Sequence, residues 1–271
     1  MMMKRTSSIV GMIALLLPLA VQAQHRLPVK RDVAMEGVVN FRDMGGYVTT
    51  DGLRVEMGKL YRSGDLSQIT DNDLEELKRR KIYTVIDLRS QKESALAPDR
   101  LLPGADYLAL PLDSWNDSAV LLQQRSGMET MTALYADISH FKEIFRPFFE
   151  KLVTLPDTSA ILIHSSLGKD RAGIAAALLL YALDIPVETI FSDYAASNFF
   201  RKNHNDAVVE ECTKRYGIEH DKALQLTEAH PSYLQATFTA IIGKYGSVEA
   251  FFNIELGVDE MVKMILRRKF L

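Results

Sequence analysis

The apolar positions of this chain follow two regimes, with a border near residue 171. Ahead of the border, short apolar and β-branched runs alternate with amphipathic stretches. Val38–Phe41, Leu60–Arg62, Lys81–Leu88, Tyr107–Pro111 and Ala160–His164 read as strands, with Lys81–Leu88 apolar enough to be buried. Thr49–Leu53 contains Asp51-Gly52, a hairpin-turn signal. Thr70, with Asp73 three residues on, predicts a helix carrying Leu74 and Leu77 and ending near Lys81. Met128–Ser139 and Phe141–Leu155 also read as helices, the second stopped by Pro156-Asp157. Beyond the border every segment has helical spacing: Ala172–Leu183, Val187–Asn198, Asn203–Tyr216, Tyr233–Tyr245, Ser247–Leu256 and Val258–Lys269. Gly217, Pro231 and Gly257 separate them. The alternation predicts an α/β fold, a central parallel or mixed sheet flanked by helices, with a helical C-terminal part.

The amino terminus stands apart. Lys4 and Arg5 precede the apolar run Ile9–Ala20, which is too short to span a bilayer, and Val21-Gln22-Ala23 supplies small residues for cleavage. Residues 1–23 therefore read as a signal peptide and 24–271 as one domain, exported to a periplasmic or extracellular compartment. Cys212 is the sole cysteine, which excludes an intrachain disulfide. A net charge of −3 gives no broad basic footprint for nucleic acid. His204 and His230 lack ligand spacing, so neither a metal nor another cofactor is expected.

The chemistry concentrates in Ile161–Gly173, an apolar strand running into His164-Ser165-Ser166-Leu167-Gly168-Lys169-Asp170-Arg171 and then a helix. So short a loop can turn its amides toward one point, and the helix adds its unpaired N-terminal donors and the positive end of its dipole. Arg171 offers a planar fork to two oxygens of an oxyanion, and Lys169 adds a point charge. Gly168 permits a conformation closed to other residues. In an open α/β sheet such a loop lies beyond the carboxyl ends of the strands, where ligands bind.

This segment resembles the phosphate loop of cysteine-dependent phosphatases. More narrowly, it is similar to the bacterial tyrosine and dual-specificity phosphatases of the secreted mycobacterial and Listeria type. Asn40–Tyr47, Leu60–Gly64, Ile86–Ser90, Asp193–Asn198 and Tyr245–Gly257 carry further landmarks in the same order. The resemblance implies hydrolysis of phosphomonoesters through a phosphoenzyme, on phosphotyrosine proteins or phosphoinositides. It also exposes a departure, because Ser165 stands where the family carries its nucleophilic cysteine. A thiol in such a cradle is ionised, whereas a serine hydroxyl stays protonated and needs a base. Phosphate binding is expected to survive and turnover to be lost or nearly so. The serine fits either a substitution made to trap substrate or a natural pseudophosphatase acting as a phosphate-binding module. A serine hydrolase fits poorly, since no Gly-x-Ser-x-Gly elbow is present.

The site expected on these grounds has Ser165, Asp170, Arg171 and Asp87 as catalytic positions. Ser166, Leu167, Gly168, Lys169, Arg171 and Ala172 form the phosphate cradle, and His164, Asp43, Arg89 and Asn198 support it. The resemblance points to Asp170 as general acid, with Asp87 and Asp117 as alternatives, and to Lys169 as a contact for phosphate or a head group. Arg42, Asp43, Arg62 and Arg89 are expected to form buried ion pairs near the loop, with Asp43 and Arg89 nearest the substrate. Asn198 is expected to brace the loop, and Leu112–Met131 to shape the pocket rim.

Overall fold

Residues 31–112 and 126–271 are described by the computed structural model. Five strands form one sheet: β1 (Arg42–Asp43), β2 (Leu60–Ser63), β3 (Ile82–Asp87), β4 (Asp106–Ala109) and β5 (Ala160–His164). Their order is β1-β2-β5-β3-β4, with β1 antiparallel to β2 and the other neighbours parallel. β5 is thus the central strand. The fold is mixed α/β with helices against the sheet, as the alternation predicted.

Period-two burial sets the two faces. Leu60, Ile86, Ile161 and Ile163 join a large core with the helices, while Tyr61, Val85, Ala160 and Leu162 join a smaller one. A register shift between Ile82 and Thr84 brings Ile82 onto the same face as Val85. α1 (Asp71–Arg79) opens with a complete capping box between Thr70 and Asp73 and sends Leu77 into the smaller core. A short helix, α2 (Gln91–Leu96), follows β3. α3 (Gly127–Ala136) and α4 (Phe141–Thr154) precede β5. α5 (Arg171–Ala182) leaves the loop and is buried at every residue except Tyr181, so its apolar character runs all round the helix.

α6 (Val187–Phe200), α7 (Lys202–Tyr216), α8 (His220–Thr227) and α9 (Pro231–Tyr245) make up most of the C-terminal part. α10 (Val248–Phe251) runs into a π turn at Phe252–Leu256, and α11 (Glu260–Phe270) ends the chain. Among the described residues no helix is long and apolar enough to cross a membrane. The expected signal peptide, Asp117 and most of the Leu112–Met131 rim lie outside the described residues.

Three departures from the sequence pattern have local causes. The strand expected at Val38–Phe41 starts instead at Arg42, because Asn40 takes φ +60° and breaks the extended run. The six-residue α2 is too short to show a helical period. α8 was not anticipated either, although Ala223 and Thr227, four residues apart, form its buried stripe.

Candidate active site

The loop at the end of β5 is tied by its carbonyls. Ser166 O accepts from Asp65 N at 3.2 Å, and Leu167 O from Asn40 Nδ2 at 3.2 Å. Gly168 O accepts from Arg62 Nε at 2.8 Å, and Lys169 O from Arg62 Nη2 at 3.0 Å. Four successive carbonyls are therefore directed at partners outside the loop. A peptide unit points its C=O and N–H in opposite directions, so the matching amides face the other way, which is the arrangement of an anion nest. Gly168 has φ +67°, and a Cβ there would sit 2.3 Å from Ser63 O. Both the backbone angle and the contact with β2 therefore require glycine.

Arg62 can hold the loop because a buried network holds Arg62. Asp193, on α6, accepts from Arg62 Nη1 at 2.8 Å, Arg42 Nε at 3.3 Å and Tyr47 Oη at 3.0 Å. Ser197 Oγ, one turn on, takes Arg42 Nη2 and Arg62 Nη2. All three charged side chains are essentially inaccessible. Burial opposes the charge on Asp193, but the two guanidinium groups outweigh it and hold the carboxyl below its usual range. Burial, and the neighbouring Arg42, push Arg62 down to about 10. The expected arginine pairing is present, but its acid is Asp193. Asp43 is instead turned onto Gly45 N and Gly58 N, at 2.7 Å each, where it staples the loop before β2. It is thus committed away from the oxyanion loop.

Arg171 opens α5 and folds back over the loop, its Nη2 3.2 Å from Ser166 Oγ. Its two terminal nitrogens pair with Glu93 on α2, at 2.5 and 2.7 Å. The Nε is buried and unpaired among the described residues, which leaves a donor on the side of the fork away from Glu93. Glu93 also accepts from Ser166 Oγ at 2.5 Å and completes a capping box with Ser90. Burial opposes its ionisation, yet the hydrogen bonds and charge of Arg171 hold its carboxyl far below the usual range. The sequence reading missed Glu93. Its signal was there in Ser90-x-x-Glu93, a capping box placed just after a strand.

The remaining expected residues divide. Ser165 is 2% exposed at the loop's base. Glu93 takes the hydroxyl of its neighbour Ser166, so it is not the base that Ser165 would need. Lys169 is fully buried, with Nζ on Asp170 Oδ1 at 2.7 Å, and desolvation lowers its pKa. It offers no surface to a head group, one of the two contacts expected of it. Asp170 also accepts from Tyr135 Oη at 2.7 Å, and its side chain keeps 16% exposure.

Asp87 is 1% exposed and is held by Arg89 and by Tyr107 Oη at 2.7 Å. Burial resists its charge, but the hydrogen bonds and charge of Arg89 prevail and hold its carboxyl below the usual range. Arg89 is correspondingly committed to Asp87 and Asp99, not to the loop mouth. His164 Nε2 lies 3.0 Å from Asp99 Oδ2 and 3.7 Å from Asp87 Oδ1. Asp87, Asp99 and His164 present ligand atoms within 4.8 Å, but the Arg89 guanidinium already supplies positive charge to both carboxylates. Asn198 braces the turn at Ala229 through Nδ2–O and N–Oδ1 bonds of 3.2 and 2.7 Å. Its neighbour Ser197, together with Asp193, is what α6 contributes to the loop network.

A nest of amides at the carboxyl end of a central parallel strand, closed by a helix-start arginine, defines an oxyanion-binding α/β protein. Residues 33–271 match the tyrosine phosphatase family, and the chain belongs to it. A Cupriavidus necator protein provisionally named a tyrosine-protein phosphatase is 30% identical over 248 residues, 89% of this chain and 87% of that protein. The triple specificity protein phosphatase PtpB of Mycobacterium tuberculosis is 28% identical over 264 residues, 83% of this chain and 94% of that protein. Among solved structures, human DUSP28 matches 67% of this chain and 86% of its own at 14% identity, with a TM-score of 0.30.

Proposed function

We propose that this chain binds phosphomonoesters, phosphotyrosine foremost, in a phosphatase site whose nucleophile position is held by Ser165 and whose turnover is therefore lost or nearly so. The observation that carries the reading is the outward tethering of the carbonyls of Ser166, Leu167, Gly168 and Lys169, which turns the N–H groups of the same peptide units, those of Leu167, Gly168, Lys169 and Asp170, toward a common anion. The Nε of Arg171, unpaired among the described residues, leaves a charged donor available at the end of the loop. Losing a thiolate removes a charge that would repel the phosphate dianion, so affinity does not depend on the missing nucleophile. Phosphotyrosine is favoured over a phosphoinositide because Lys169, the one loop lysine, is buried against Asp170. The resemblance read from the sequence also admits phosphoinositides, which enter as a comparison arm.

In an active background the proton for the leaving group comes from Asp170. It is the acid in the loop that retains exposure, whereas Asp87 is enclosed. Residues 1–23 direct export, which N-terminal sequencing of the mature protein checks. The decisive assay compares the chain with Ser165→Cys on a phosphotyrosine peptide and an inositol phosphate, with phosphate binding followed by calorimetry. The expected result is phosphate binding by both proteins and turnover by Ser165→Cys alone. Equal rates, or no binding by either protein, would refute the reading.

A further inference from the structure

The surroundings of Asp170 are one-sided. Its Oδ1 accepts two hydrogen bonds, from the Tyr135 hydroxyl at 2.7 Å and the Lys169 ammonium at 2.7 Å. The Tyr135 hydroxyl lies 2.7 Å from that of Tyr194. Since Tyr135 spends its proton on Asp170, Tyr194 is the donor in that second bond. Tyr135, Tyr194 and Lys169 come from three different elements and are all fully buried. Asp170 Oδ2 accepts from no described residue and is not among the enclosed atoms. One oxygen is clamped from the interior and the other is left open.

We propose that Tyr135, Tyr194 and Lys169 are positioning residues for proton donation by Asp170, fixing Oδ1 so that the proton is carried on Oδ2 toward the leaving group. This rests on the reading of Asp170 as the acid. In the Ser165→Cys protein, the thiolate electron pair forms the S–P bond as the P–O bond breaks. The electron pair of that bond passes to the leaving oxygen, which takes the proton from Asp170 Oδ2 and leaves a carboxylate. As the proton departs, negative charge grows on Asp170. Its bond from the Tyr135 hydroxyl then becomes charge-assisted, roughly twice as strong as a neutral one, and its bond from the Lys169 ammonium becomes an ion pair. That gain exists in the transition state and not in the bound substrate, so it lowers the barrier and leaves affinity unchanged. Burial raises both phenols well above their ordinary value, which keeps them protonated and able to donate throughout.

The test uses full-length protein with Ser165→Cys as parent. Tyr135→Phe, Tyr194→Phe and Asp170→Asn are each added and assayed on p-nitrophenyl phosphate, which has a good leaving group, and phenyl phosphate, which has a poor one. Asp170→Asn is expected to lower kcat on phenyl phosphate by about 10²–10⁴ and much less on p-nitrophenyl phosphate. Tyr135→Phe should lower kcat on phenyl phosphate by about tenfold, the worth of one hydrogen bond, with KM and the p-nitrophenyl rate within about twofold. Added to Asp170→Asn, Tyr135→Phe should cost nothing further. Tyr194→Phe removes only the outer link and gives a smaller loss of the same selective kind, which keeps the test available should Tyr135→Phe fail to fold.

Equal losses on both substrates, or a further loss on top of Asp170→Asn, would overturn the proposal. A parent without turnover, or an Asp170→Asn protein indifferent to leaving group, would instead overturn the functional reading on which it stands.

Discussion

Replacing Gly168 with alanine tests whether the loop is held in its cup by backbone geometry. Two separate costs apply. The residue has φ +67°, a region that costs an L-residue roughly 1–2 kcal/mol. The added Cβ would also lie 2.3 Å from Ser63 O and 2.6 Å from Gly64 N, both backbone atoms of the neighbouring strand end. Forced overpacking of that kind costs roughly 1–3 kcal/mol more. Gly217 supplies the control, since it has φ +64° with nothing within 4 Å of where a Cβ would stand, so Gly217→Ala carries the strain alone. Thermal and urea unfolding should show Gly168→Ala losing about 2–5 kcal/mol in total and Gly217→Ala about 1–2. At roughly 2–4 °C per kcal/mol for a chain of this size, the two melting points separate clearly. Calorimetric titration with inorganic phosphate should show binding retained in Gly217→Ala and lost in Gly168→Ala. Equal destabilisation of the two variants, or parental phosphate affinity in Gly168→Ala, would refute the argument.

Three further outcomes follow from the charged networks. Asp193→Asn leaves Arg42 and Arg62 buried without their anion and should cost about 3–5 kcal/mol in urea unfolding, where a change under about 1 kcal/mol would contradict the role given to the network. Glu93 has a folded-state carboxyl held below its ordinary range, so its ionised form stabilises fully above about pH 4.3 and the contribution fades as pH falls through the folded value. The deficit of Glu93→Gln should therefore be present at about pH 7 and shrink at about pH 3, and a deficit that grows on acidification would be the wrong sign. Asn198→Ala should loosen the Ala229 turn and lower stability by about 1–2 kcal/mol while phosphate affinity stays within a few-fold, because its bonds go to that turn and not to the loop.

Much of this protein was legible along the chain because its signals are local. The β-branched run ending at Asp87 and the apolar run ending at His164 announce buried strands, and a glycine before a helix-start arginine announces an anion cradle. The serine at 165 is likewise a fact of sequence, and with it goes the expectation of a missing thiolate. Partner choice was not legible, because it joins residues far apart in the chain. Arg62 reaches Asp193 across 131 residues and Asn40 reaches Leu167 across 127. Which acid faces which arginine depends on how α6 crosses the sheet, and no periodicity encodes that. The burial of Lys169 and the clamping of Asp170 by Tyr135 arise in the same way, from α3 and α6 closing over the loop. Charge type and spacing decide that an anion can be held here. Only packing decides which side chains remain free to meet it, because desolvation and pairing are properties of the assembled interior.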